Sequence, residues 1–416
     1  MHALEKIFAR GFGVDKVQTG QIANCDVDIA GINDLYLQTV HSFYEMDGVQ
    51  VVHPDKVLVF LDHYAPASTI KQAENHKAFR AFCKEQGIDG LMDIHEGVCH
   101  QILVDKGMSA PGKIIVITDS HTTTHGAFGA FGTGVGATDL AIILRTGKLW
   151  FRVPEILKIN LEGTPPKGVY AKDVILHIIG DLGADYAVYR AVEFAGSYID
   201  GLCISERMCI CNMSTEMGAK AAYIQPDAVT FDYLKRVGNN DYTVYTTDDD
   251  FVYWAEHSYD VSKIKPQVAV PFSVDNVEDI TQHIGTPVQQ AFLGTCTGGR
   301  LEDIAVAAKI LAGKKIHPDT RMLVIPASKE VLLQAIKHGY METLVNANAT
   351  FVTPGCAACL GTHEGLIADG ETCITSSNRN FPGRMGHTGG RLYLASPAAV
   401  AASALEGKIA DPAKYL

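Results

Sequence analysis

Apolar positions fall along the chain in two alternating rhythms. Residues 56–61 (KVLVFL) and 113–118 (KIIVIT) are apolar almost throughout, as strands buried on both faces are, and the stretch at 68–85 between them is polar with helical spacing. Such alternation predicts helices packed on a parallel sheet, an α/β fold. Residues 156–161 alternate like a half-buried strand and lead through Gly163-Thr-Pro-Pro166 into a helix predicted over 172–180. From residue 288 the rhythm resumes with a strand at 290–293, a helix at 301–313, a strand at 321–326 and a helix at 329–338. The Ala-rich stretch 398–406 is a strong helix former. The pattern divides the chain into three α/β domains, 1–150, 151–283 and 284–416. The more polar and aromatic stretch 226–276 is expected to be surface elaboration that closes the second domain.

A length of 416 residues suits several lobes, because a single core stops growing well short of that. Each putative strand ends in a polar cluster, Asp62-His63 and Asp119-Ser120-His121, and open α/β sheets place ligands at strand carboxyl ends. A hydrophobic share of 47% with no run long enough to cross a bilayer argues against a membrane protein. The opening residues mix Glu5, Lys6 and Arg10 into an amphipathic pattern without the apolar core of a signal peptide, so a cytoplasmic location is expected. A net charge of −12 disfavours nucleic acid as a partner, and an anionic substrate would need a local cationic pocket.

Ten cysteines in such a chain point to metal binding or buried thiols and away from a disulfide framework. Cys25, Cys83, Cys99, Cys203, Cys209, Cys211 and Cys373 lack ligand spacing and read as small buried hydrophobes. Cys296, in Gly294-Thr-Cys-Thr-Gly-Gly-Arg300, and the C-x-x-C of Cys356 and Cys359 are the exception. Iron–sulfur clusters are held mainly by thiolates, and three without a fourth would leave one iron of a cubane open as a Lewis acid.

Histidines beside carboxylates are the second signal: Asp62-His63, Asp93 with His95, His100, Asp119 with His121, and His125. An adjacent carboxylate fixes the tautomer and raises the pKa, which suits an acid that protonates a leaving hydroxyl. The third is Ser377-Asn-Arg-Asn-Phe-Pro-Gly-Arg384, whose two arginines offer a carboxylate clamp. The glycines from Gly126 to Gly136 meet neither the phosphate-loop nor the dinucleotide pattern and read as close backbone packing.

Together these stretches resemble the aconitase superfamily, most closely the large subunits of its two-subunit branch of 3-isopropylmalate dehydratase and homoaconitase. The resemblance covers nearly the whole chain: Asp62-His63, Glu74-Asn-His76, Glu96-Gly-Val-Cys-His-Gln101, Asp119-Ser-His-Thr122, His125-Gly-Ala-Phe-Gly129, Gly147-Lys-Leu-Trp150, Cys211-Asn-Met213 with Glu216, the three cysteines, Ser377 to Arg384, and Ala395-Ser-Pro397. It implies three α/β domains around a [4Fe–4S] cluster held by Cys296, Cys356 and Cys359. It also implies catalytic His–carboxylate pairs in Asp62 with His63, His100 with Asp119, and His121 with Glu216. Ser120, Asn212 and Asn378 match polar residues lining the substrate site, and Arg379 and Arg384 the arginines that bind substrate carboxylates.

The implied reaction dehydrates and rehydrates a small hydroxy di- or tricarboxylic acid. The expected substrate is 3-isopropylmalate, in leucine biosynthesis, with homoaconitate and 2,3-dimethylmalate as alternatives. In the family the proton-abstracting serine lies in a swivelling domain. No segment here matches it, so a small subunit carrying that domain is expected as partner in a heterodimer or larger assembly. One departure stands out: the cluster loop usually reads Ser-Cys-Thr-Asn, and here it is Thr295-Cys-Thr-Gly298. From other classes, an iron or redox sensor that binds RNA and a zinc-dependent hydrolase remain alternatives.

Overall fold

The apolar runs form the centres of three separate sheets in a computed structural model that describes residues 1–416. The first sheet has five parallel strands in the order Gly90–Met92, Val57–Phe60, Ile29–Asn33, Ile114–Ile117, Phe131–Gly134. Its two predicted central strands are buried at every position, as strands covered on both faces must be. The polar stretch after the first of them is the helix Ile70–Gln86, opened by a capping box of Thr69 and Gln72 and closed by Gly87 in the left-handed region.

A second parallel sheet runs Ala221–Tyr223, Ala191–Ala195, Ile156–Glu162, Ala255–Asp260, with the helix Ala171–Leu182 where the sequence predicts one. The third sheet has seven strands, Val277–Asp279, Gln267–Ala269, Arg391–Leu394, Thr372–Thr375, Gln290–Gly294, Arg321–Ile325 and Thr350–Phe351. Its first two strands are antiparallel additions to a parallel core. Each sheet carries its own hydrophobic core, and a small antiparallel ribbon, Ile22–Asp26 with Lys148–Arg152, ends the first lobe.

Two expectations need correction. The third lobe begins before residue 284, because Gln267–Ala269 pairs with Arg391–Leu394 and recruits Val277–Asp279. Strands of three residues are too short to show alternation. The stretch 226–276 also does more than close the second lobe. Asn239 reaches the Gly107 carbonyl, and Thr247 and Asp248 accept from Ala3 and the Met1 amino group, so this segment straps the first lobe before it enters the second sheet.

The site is set by which strand ends meet. Asp62-His63 follows the strand Val57–Phe60, Asp119 follows Ile114–Ile117, Cys296 follows Gln290–Gly294, and Asn378-Arg379 follows Thr372–Thr375. The carboxyl ends of the first and third sheets therefore face one another, and the second lobe contributes Glu216 just after the helix Ile204–Met213. Backbone bonds lock the two lobes together: the Val98 amide donates to Ala327 O and the Lys329 amide to Glu96 O, both at 2.9 Å.

Candidate active site

The cysteines lie on two tight turns. Thr295 has φ 67° and Ala357 has φ 48°, left-handed values that cost a non-glycine residue free energy and cluster at functional sites. Gly294 lies against Ile325, whose Cβ would be 2.7 Å from an added side chain, so the residue before the Thr295 turn has no room for one. The Cys356 amide donates to the Asp62 carbonyl at 2.9 Å, which anchors the C-x-x-C turn to the first lobe.

Cys296, Cys356 and Cys359 line one cavity of about 260 Å³ with His63, His100, Asp119, Ser120, His121, Asn378, Arg379 and Arg384. Burial pushes the Cys296 thiol up to about 11, so a thiolate there needs a positive charge in place of its proton. In the Cys356–Cys359 pair, the Cys356 hydrogen bond and Arg384 act against burial and hold Cys359 well below the ordinary thiol value. Asn212 Nδ2 donates to Cys296 Sγ at 3.3 Å and Arg384 Nη2 approaches Cys359 Sγ at 3.9 Å. Three sulfurs on one cavity wall, each on a strained or anchored turn and two with donors directed at them, fit a thiolate-held cluster with room left beside it. All ten cysteines are free, and the seven outside this cavity form no ligand set.

Asp119 is the hub of the histidines. Its Oδ1 accepts from His100 Nε2 at 2.9 Å and from the His121 amide at 2.8 Å, and its Oδ2 lies 3.3 Å from His63 Nε2. Burial would raise its pKa, but the bonds from His100, His121 and His63 hold it well below the usual carboxylate range. Burial would likewise lower His63, yet the Asp62 charge at 2.7 Å and the bonds to Asp119 and Asp62 raise it well above the ordinary value. His121 is lowered by burial and Arg379 but raised on balance by Asp119 and by Glu216, 2.8 Å from its Nε2. The buried Glu216 is kept charged by His121 and Arg379.

All three expected pairs are therefore adjacent, and the chain continues beyond them. Arg379 Nε donates to both Glu216 oxygens, at 2.9 and 3.1 Å, and its Nη2 to Ser120 Oγ at 3.0 Å. Glu216 thus joins residues of all three lobes. Asn212 is the exception among the expected substrate-lining residues. It has no exposed surface and spends its amide on Cys296 and on Thr124, because it projects from a buried helix behind the sulfur. Asp93 and His95 lie apart from the cavity, paired with Arg80 and Glu96. His125 bonds Ser109 and packs on the His100 ring, and burial keeps it neutral.

Asp34 was not legible in the sequence as part of the site. It is fully buried and accepts from the His63 and Tyr64 amides and from His76 Nε2, each at 2.9 Å. It fixes the turn that bears His63. Asp34, Asp62 and His63 lie close enough to suggest a metal site, but these bonds already occupy them. A larger cleft of about 770 Å³ opens between Glu96, Arg236, Arg300 and Lys329, with charges of both signs and none of the three thiols.

The unexpected Gly298 has a local cause. A side chain there would place its Cβ 2.5 Å from the Ser376 Cβ, and the Ser376 hydroxyl ties the cysteine turn to the neighbouring strand end by donating to Gly298 O and accepting from the Gly294 amide. Asn212 and Asn378 provide the amides near Cys296 instead.

A family model of the aconitase family (aconitate hydratase) matches residues 5–407. A 3-isopropylmalate dehydratase large subunit from Methanopyrus kandleri is 48% identical over 99% of both chains. A probable methanogen homoaconitase large subunit from Methanothermobacter thermautotrophicus is 45% identical over 99% of this chain and 97% of its own. The crystal structure of Thermococcus kodakaraensis aconitase X shares the fold at a TM-score of 0.50, with 11% identity over 90% of this chain and 88% of that one. With the family model matching residues 5–407 and full-length relatives at this identity, the chain belongs to the aconitase family.

Proposed function

We propose that this chain is the large subunit of an iron–sulfur hydro-lyase that removes and re-adds water on 3-isopropylmalate, in leucine biosynthesis. The supporting observation is that three His–carboxylate pairs meet at Asp119 on the wall that the three thiols share. Cys296, Cys356 and Cys359 would hold a [4Fe–4S] cluster, which when bound supplies a Lewis-acidic iron that makes hydroxyl departure easier. His63, whose pKa is raised well above the ordinary imidazole value by Asp62 and Asp119 against burial, is suited to give its proton to the leaving hydroxyl. Arg379 and Arg384 bind substrate carboxylates, whose charge grows as the neighbouring carbon loses its proton.

No carboxylate of this network is free to take that proton. Asp119 is shared by His100, His63 and His121, Glu216 by His121 and Arg379, and Asp62 by His63 and the Cys99 amide. The base is assigned to a small-subunit partner, and the large-subunit names of the relatives support such a partner. No helix is long and apolar enough to cross a membrane, and a cytoplasmic location suits the proposed reaction. Homoaconitate is the second reading, favoured by relatives of that name at 45% and 49% identity.

The test is anaerobic purification, iron and sulfide analysis, and hydration assays on isopropylmaleate and homoaconitate with and without the small subunit. Turnover of isopropylmaleate by the pair, and none by this chain alone, is the expected result. Full activity of the isolated chain would place the base within it and refute the two-subunit reading. Preference for homoaconitate would move the substrate to the second reading.

A further inference from the structure

Lys172 is a buried cation with an unusual set of partners. It stands in the first turn of the helix Ala171–Leu182, in the second lobe, and is 2% exposed. Its Nζ donates to Ser377 O at 2.6 Å, to Ser376 O at 3.2 Å and to Met213 Sδ at 3.4 Å. None of the three is a carboxylate. The adjacent Asp173 spends its oxygens on the backbone amides of Tyr170 and Gln267.

Burying an ammonium without a counter-ion costs several kcal/mol, so a fold keeps one only where something else compensates it. Burial lowers the Lys172 pKa; Cys209, outside the cavity, acts first against this, followed by Cys359, Glu216 and Cys296 of the candidate site. Its two backbone acceptors immediately precede Asn378 and Arg379 in the chain. Met213, the third acceptor, follows Asn212, which donates to Cys296 Sγ. One side chain therefore contacts the backbone that presents Asn378 and Arg379 and the helix end that presents Asn212, and it does so across the boundary between second and third lobes.

We propose that Lys172 is a positioning residue of the active site: it fixes the Ser376 and Ser377 carbonyls so that Asn378 and Arg379 meet the cavity, and its charge offsets the thiolates from behind. The proposal rests on the cluster reading above. Partners beyond the first layer of ligands typically change metal affinity or activity by roughly 10- to 100-fold.

The experiment compares wild type with Lys172→Met, Lys172→Gln and Lys172→Arg, each reconstituted anaerobically with iron and sulfide. The first readout is the rate at which a chelator strips iron, followed by the cluster's visible absorption and electron paramagnetic resonance. Turnover with the small subunit is the second. Lys172→Met and Lys172→Gln should lose iron about tenfold faster or more, with an altered resonance signal, while circular dichroism stays native. Lys172→Arg, which keeps the charge in a bulkier fork, should hold iron near the wild-type rate but lose kcat with little change in KM.

A wild type that takes up no iron and sulfide would defeat the cluster reading itself. A wild type that does, beside a Lys172→Met with the same release rate, spectrum and kcat, would overturn the proposal alone. Failure of both neutral variants to reach the native circular dichroism spectrum would make the residue purely structural and would overturn it as well.

Discussion

Replacing Arg379 by lysine separates charge from geometry at the proposed carboxylate clamp. In the structure the guanidinium holds both Glu216 oxygens through Nε and Ser120 through Nη2, which leaves its plane fixed and about a quarter of the side chain open. A lysine ammonium is a point charge on a flexible stem and cannot hold Glu216 and Ser120 while offering a forked pair of donors to a substrate. Losing one charge-assisted hydrogen bond costs about 1.5–3 kcal/mol. At about 1.4 kcal/mol per tenfold in rate this is roughly 10- to 100-fold. The clamped carboxylate gains charge in the transition state, so the larger value applies and kcat/KM should fall by about 10²-fold. The assay is steady-state hydration of isopropylmaleate by the two-subunit enzyme, with iron content measured on the same preparation, which Arg379→Lys should leave unchanged. A loss confined to KM would mean that Arg379 binds ground and transition states alike. A Lys variant within about threefold of wild-type kcat/KM would refute the bidentate reasoning.

Cys296→Ser, Cys356→Ser and Cys359→Ser should each abolish iron and sulfide binding, and Cys83→Ser should not; iron and sulfide retained in the triple variant would defeat the ligand assignment. In the cluster-loaded wild type, air and chelation should remove activity before they disturb circular dichroism, and ferrous iron with a thiol should restore it. The acid limit follows from Asp119 and Glu216, whose folded pKa values are depressed. Their stabilisation is fully present above the ordinary carboxylate values, near pH 4, and is lost as pH falls through the depressed folded values. The raised pKa of His63 acts in the opposite sense, stabilising below about pH 6.5 and fading as pH rises through its folded value. Thermal melts of the metal-free chain should therefore fall away at both ends of the pH range, and Asp119→Asn should flatten both. Gly298→Ala should lower the melting temperature through its contact with Ser376.

What the sequence made legible follows from what each contact demands of residue type. A thiolate ligand can only be a cysteine, so Cys296, Cys356 and Cys359 stand out as candidates by spacing and loop context before any fold is known. An imidazolium needs a carboxylate, and Asp62 with His63 are neighbours in the chain, so the pair announces itself. Glu216 lies 95 residues from His121, and only the family resemblance connected them. The convergence of three histidines on Asp119 was hidden for the same reason: His63 comes from a strand-end turn and His100 from the helix Cys99–Asp105, and nothing in either segment says that they share one carboxylate. Lys172 was less visible still. In Tyr170-Ala-Lys-Asp-Val174 it reads as an ordinary polar residue in a helix's first turn, and its main acceptors are the backbone carbonyls of Ser376 and Ser377, more than two hundred residues away. A carbonyl is present at every residue and leaves no mark in the side-chain sequence. Sites of this family can therefore be read as far as their chemistry is written in side chains. The contacts that hold one lobe's donors against another lobe's backbone emerge only when the sheets are placed end to end.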